Sequence, residues 1–176
     1  MITTLGHIIK SKLSVLLAAL LLAAASCTKI DNKSTPNYPV RINLGSYAMW
    51  ATYGVNGLGE YKLFCRTKQL PSNFPYNANT YTGFGGVLLI YGLDISTSTY
   101  GPIAFEAACP VENKPTVLLD IDPDNFDAVC PNCKSRYNVI GGAGGPISGQ
   151  AVEKKKGLRS FIVRQSVNGG HIITSY

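Results

Sequence analysis

Cys130-Pro131-Asn132-Cys133-Lys134-Ser135-Arg136-Tyr137-Asn138, followed after a short interval by Gly144-Gly145-Pro146-Ile147, is the stretch on which the reading of this chain turns. Two cysteines at the ends of a proline-led turn can aim both sulfurs at one point. A second turn of the same C-P-x-x form, Cys109-Pro110-Val111-Glu112, lies 17 residues upstream. Paired knuckles of this kind can gather four side chains around one metal, here Cys109, Cys130, Cys133 and the carboxylate of Glu112. Thiolates of this number favour zinc or an iron–sulfur centre.

The segments around the two turns are rich in β-branched and aromatic residues and are broken at short intervals by Gly, Pro and Asn, the pattern of an all-β domain. Strands are expected at Val40–Leu44, Tyr61–Arg66, Gly86–Tyr91, Ile103–Ala107, Thr116–Asp120, Arg136–Val139, Ser160–Gln165 and His171–Ser175. Asn168-Gly169 joins the last two as a hairpin turn, since both residues tolerate positive φ. Five glycines and Pro146 between Gly141 and Gly149 predict a loop. No helical periodicity of ten residues or more follows the N-terminal segment.

The order of these features resembles the Rieske family. In that family the second cluster loop reads C-P-x-H-G-S-x-F/Y-D, the first reads C-x-H, and a later Gly-Pro stretch forms a proline loop. Cys130 to Asn138, Cys109-Pro110-Val111 and Gly145-Pro146 stand at the corresponding places, and the likeness runs from about Gly86 to Tyr176. It implies a Rieske-like β-sandwich with a small two-loop subdomain of the cluster-binding type. It also implies that Ser135 and Tyr137 hydrogen-bond to sulfur, that Pro146 braces the loops, and that the chain is of the [2Fe–2S] electron-transfer class.

The ligand set departs from that family at both histidine positions. A Rieske [2Fe–2S] centre takes two cysteines and two histidines, whereas Val111 and Cys133 occupy the histidine places and Lys134 stands where a glycine is usual. Three chemistries remain open: a cluster, a cysteine-rich zinc site completed by Glu112 or Cys65, or no metal. With no metal, a disulfide from Cys109 to Cys130 or Cys133 would staple the loops of a structural or binding module. Cys65 then pairs with the remaining cysteine or stays buried as a small apolar residue. A disulfide oxidoreductase would place its C-x-x-C at a helix start, and here Lys134 to Gly145 leads through a short strand into glycines. No catalytic constellation is visible. His171 reads as an ordinary sheet histidine, and Asp120, Asp122, Asp124 and Asp127 lack the glycine and terminal glutamate of a calcium loop.

At the N-terminus Lys10 and Lys12 precede an uncharged apolar run, Leu13 to Ala25, too short to span a bilayer comfortably. Ala24-Ala25-Ser26 supplies small residues directly before Cys27, as a lipoprotein signal requires. The expected organisation is a signal peptide over 1–26, a lipid-anchored tether over 27–39 and one β domain over 40–176, in a bacterial cell envelope with the domain outside the cytoplasm. Removal of the signal takes Lys10 and Lys12 and no acid, lowering the formal charge from +6 to +4. Basic residues are scattered except for Lys154-Lys155-Lys156, read as a solvated turn, so nothing points to nucleic acid. The expected partners are the membrane, through the lipid, and an unidentified protein. Mass spectrometry of the mature protein should find an acylated N-terminal Cys27, and Cys27→Ala should leave the membrane fraction; an unmodified peptide starting elsewhere removes the anchor.

Overall fold

Val87-Leu88-Leu89-Ile90 is apolar without alternation, and a strand needs that only when both of its faces are covered. The structure, a computed structural model, describes residues 29–175. The expected signal segment 1–26 and the expected lipidation site Cys27 lie outside the described residues. Among them this run opens β4 (Val87–Asp94), whose neighbours are β2 (Tyr61–Phe64) and β5 (Thr99–Glu106). All four residues of the run are at most 1% exposed.

The chain is all-β. One sheet of seven strands has the order β2-β4-β5-β10-β11-β1-β3, where β1 is Val40–Ser46, β3 Tyr81–Thr82, β10 Ser160–Gln165 and β11 Gly169–Thr174. β10 pairs with β5 through Ser160 and Phe161 and with β11 through Ile162 to Gln165, so the sheet turns a corner along β10. The sandwich expected from the sequence is therefore a single sheet curled into a nearly closed barrel. Its interior is filled by Ile42 and Leu44 of β1, Val87 and Leu89 of β4, Phe161 and Ile173, with Trp50 in the same cluster.

The other face of β4 carries Leu88 and Ile90 into a second core with Phe105, Tyr137, Val139 and Leu158. That core lies under a four-stranded sheet, order β6-β7-β8-β9, formed by Asp120–Ile121, Ala128–Val129, Arg136–Asn138 and Gly145–Ser148. Cys109 and Cys130 are buried in the same cluster. Burying one Leu or Ile contributes roughly 2 kcal/mol, so the two cores draw comparable support from one strand.

Several details differ from the sequence reading. The Gly141–Gly149 stretch is not all loop, because β9 forms within it and pairs with β8, whose open edge would otherwise leave backbone groups unpaired. Thr116–Asp120 is mostly irregular, with a bridge from Ala108 to Leu118 before β6. Among the described residues two short α-helices appear, α1 (Tyr47–Tyr53) and α2 (Gln150–Glu153), too short to show a period in sequence. α1 begins at Ser46, whose Oγ accepts from Met49 N at 3.2 Å, a serine N-cap. The β10–β11 hairpin forms with positive φ at Gly169 alone, the turn closing where Gly169 N donates to Ser166 O. The segment read as a free tether is docked: Asp31 N donates to Lys155 O at 2.8 Å, Gly157 N to Asp31 O at 3.0 Å, and Arg159 Nη2 to Thr35 O at 2.6 Å. Its polar composition reported exposure, and backbone pairing does not depend on composition.

Glu106, at the end of β5, is 1% exposed and carries four backbone N–H bonds, from Phe84, Gly85, Gly86 and Ala108 at 2.9–3.2 Å. Burial nevertheless pushes its pKa above the usual carboxylate value, the four donors opposing. The carboxylate ties the approach to β4 to the segment that delivers Cys109. Removing it strands several buried donors, each costing on the order of 1–3 kcal/mol. Glu106→Ala should lower urea-unfolding stability by about 3 kcal/mol or more, and a loss below about 1 kcal/mol would show that water replaces the carboxylate.

Candidate metal centre

Both C-P-x-x turns close in the same way. Asn113 N donates to Cys109 O at 2.9 Å and Lys134 N to Cys130 O at 3.1 Å, each four residues after its cysteine. Both closing residues are left-handed, Asn113 at φ 50 and Lys134 at φ 58. A non-glycine residue there is held at a cost of about 1 kcal/mol, so the surrounding bonds define the turn. Each cysteine is further pinned by its own N–H, Cys109 to Val117 O at 3.0 Å and Cys130 to Ser135 O at 2.9 Å.

The two turns meet. The Sγ atoms of Cys109, Cys130 and Cys133 all lie within 4.8 Å of one another, with Cys109 and Cys133 at 3.7 Å. Cys109 and Cys130 are fully buried and Cys133 is half-buried. Three cysteines this close can hold a metal ion. All four described cysteines are free thiols, so the disulfide from Cys109 to Cys130 or Cys133 is not formed in this structure.

Ser135 and Tyr137 reach the sulfurs. Ser135 Oγ lies 3.2 Å from Cys133 Sγ and accepts from Ala151 N at 3.1 Å, which leaves its own hydrogen free to point at a thiolate. The α2 backbone can come this near because Gly149 precedes it at φ 73; a Cβ there would lie 3.1 Å from Ser135 Cα. Tyr137 Oη lies 3.6 Å from Cys109 Sγ. Pro146 stands opposite Tyr137 in the β8–β9 ladder.

Electrostatics divide the cysteines. Burial pushes the Cys130 thiol up to about 12. At Cys133 burial acts in the same direction, but the bonds with Ser135, Cys130 and Cys109 outweigh it and hold its pKa below the ordinary value. Burial, then the neighbouring Cys109, raises the Tyr137 phenol. Cys133 is thus the member of the triad both reachable from solvent and inclined to ionise.

Glu112 does not join the triad, nor does any other described His, Asp or Glu. A partly solvated carboxylate gains nothing by leaving water for a pocket of buried thiols. Cys65 is buried in the same apolar cluster, its Sγ 3.2 Å from Thr67 Oγ1, and stands outside the triad. His171 packs on Trp50, ring centroids 4.2 Å apart, and burial lowers its pKa. Two supports escaped the sequence reading. Arg136 Nη2 bridges Asp122 at 2.6 Å and Asp127 at 3.0 Å, pinning the aspartate loop beside β8. Lys156, read as part of a solvated turn, donates to Pro110 O at 3.2 Å. A lysine run in sequence does not show which member folds back.

The donor set offers three sulfurs and no imidazole, which does not fit a Rieske [2Fe–2S] cluster. No family model, curated protein or solved structure matches the chain. In the native protein at pH 7, Cys133 should be the first thiol alkylated by iodoacetamide, and Ser135→Ala should slow that reaction about threefold or more; equal rates for the three triad thiols would contradict the division described above.

Proposed function

We propose that this chain is a lipid-anchored cell-envelope protein whose Rieske-like domain holds a single zinc ion at Cys109, Cys130 and Cys133 where its resemblance would place a cluster. The spacing of the sulfurs carries the reading. Zinc–sulfur bonds of about 2.3 Å set tetrahedral sulfurs about 3.8 Å apart, and Cys109 and Cys133 stand at 3.7 Å. A two-iron centre divides its protein ligands between two irons and would need one of the three sulfurs set well apart. The Rieske likeness is supported by the order of the loops, by Ser135 and Tyr137 lying against sulfur, and by left-handed backbone at Lys134, where that family has glycine.

The roles of this chain's residues follow from their placement. Cys109 and Cys130 supply buried thiolates from the two turns, and Cys133 supplies the third at the solvent side. With the sulfurs ionised on a metal, the hydroxyls of Ser135 and Tyr137 beside them would donate to sulfur, spreading thiolate charge that apolar surroundings would otherwise leave uncompensated. Zinc has no redox chemistry of its own. A zinc ion would tie the turns together in a structural or binding module, its fourth position open to solvent or a partner. An electron carrier is the second reading, favoured by the two hydrogen bonds to sulfur.

Protein purified without chelator or oxidant should be colourless with one zinc per chain, and Cys130→Ser should weaken binding by about 100-fold or more. The Cys130 thiol, pushed up to about 12, is protonated at neutral pH in the metal-free protein. Binding must expel that proton, so zinc affinity should fall about tenfold for each proton displaced with every unit of pH lowered between 8 and 6. Broad visible absorption with stoichiometric iron, and an iron EPR signal after reduction, would decide for the electron carrier.

A further inference from the structure

We infer that the triad is a redox latch: a disulfide compound converts Cys109 and Cys133 into a disulfide, which discharges the metal, and a thiol reductant restores the binding form. This rests on the zinc reading for its metal half and on the described geometry for its sulfur half. Cys133 is the triad member with a solvent-facing side, and the sulfur of Cys109, on the other turn, stands 3.7 Å from its own. Closing that pair to the bonded distance of about 2.05 Å asks for less than 2 Å of travel. The turns need no metal to keep their shape, because each is closed by its own i to i+4 bond and pinned by its cysteine N–H. Oxidation therefore has somewhere to go without unfolding the domain. An exported chain meets disulfides as a matter of course.

The exchange balances in two steps. The Cys133 sulfur attacks one sulfur of an external disulfide, RS–SR, forming a mixed disulfide and releasing RS⁻. The Cys109 sulfur then attacks Cys133 Sγ, forms the Cys109–Cys133 bond and releases the second RS⁻. Two electrons have passed from the cysteine pair to the external disulfide. Cys130 is left as the lone thiolate of the site and takes a proton from water, in keeping with its buried position. One sulfur cannot hold the ion that three held.

The test treats zinc-loaded full-length protein with oxidised glutathione and follows released zinc with a chromogenic chelator while peptide mass spectrometry maps the bond. The expected result is one zinc and two glutathione thiols released per Cys109–Cys133 disulfide, with Cys65 and Cys130 still alkylatable after denaturation, and recovery of zinc binding in dithiothreitol. Cys109→Ser should stop at a glutathione adduct on Cys133, whereas Cys130→Ser should still form the Cys109–Cys133 bond. A Cys130–Cys133 bond, or zinc fully retained after Cys109 and Cys133 have joined, overturns the latch. If the protein takes up no zinc at all, the zinc reading fails, and the bond map on the metal-free chain still decides the sulfur half: Cys109–Cys133 upholds it and any other product rejects it.

Discussion

Covering both faces of one strand is the constraint from which the rest of this molecule follows. β4 presents Val87 and Leu89 to the barrel interior and Leu88 and Ile90 to the core beneath the four-stranded sheet and the cysteine turns, so neither layer is complete without the other. A barrel of seven strands could bury one face of β4 by itself. The opposite face, left bare, would expose a continuous apolar stripe, and the four-stranded sheet with its turns is what removes it from water. The site is therefore seated on the most deeply buried strand of the fold. Glu106 reinforces the joint from the neighbouring strand by gathering amides from both sides of it.

In the two turns, shape and chemistry are set by separate features. Their shape is written in backbone bonds and in the left-handed residues Asn113 and Lys134, none of which touch the question of ligand identity. What the turns present is decided at single positions. Valine at 111 offers no donor, and cysteine at 133 offers sulfur. Oxygen and nitrogen ligands suit harder or intermediate ions, whereas an all-sulfur set selects soft ones. The frame and the donor set are thus specified by different residues.

Much of this was legible in the residues. The residues delimit β10 correctly and locate β1, β2, β4, β5, β8 and β11 with shifted ends, because each of these segments is rich in apolar, aromatic or β-branched residues and bounded by turn formers. β3 and β7, of two residues each, and β9, inside a glycine-rich stretch, carry no such signal and are strands because a neighbour's edge needs partners. The meeting of the two cysteine turns was readable from their shared form. The exclusion of Glu112 and Cys65 was not, because it depends on where solvent ends and on which side of the turn a side chain leaves, and neither is written in spacing. The aromatic packing of His171 on Trp50 and the Arg136 bridges likewise join residues far apart in the chain.

The docked N-terminal segment changes what an anchor at Cys27 would mean mechanically. Asp31 is hydrogen-bonded into the Lys155–Gly157 backbone, and Lys156 in turn holds the Pro110 carbonyl. Four residue steps separate Cys27 from Asp31, a reach of at most about 14 Å. A protein leashed through a dozen loose residues samples a wide hemisphere above a bilayer and presents every side to it in turn. One fastened this close would behave as a post set into the surface, with a restricted tilt, and the cysteine turns would take their bearing relative to the lipid from the same fastening.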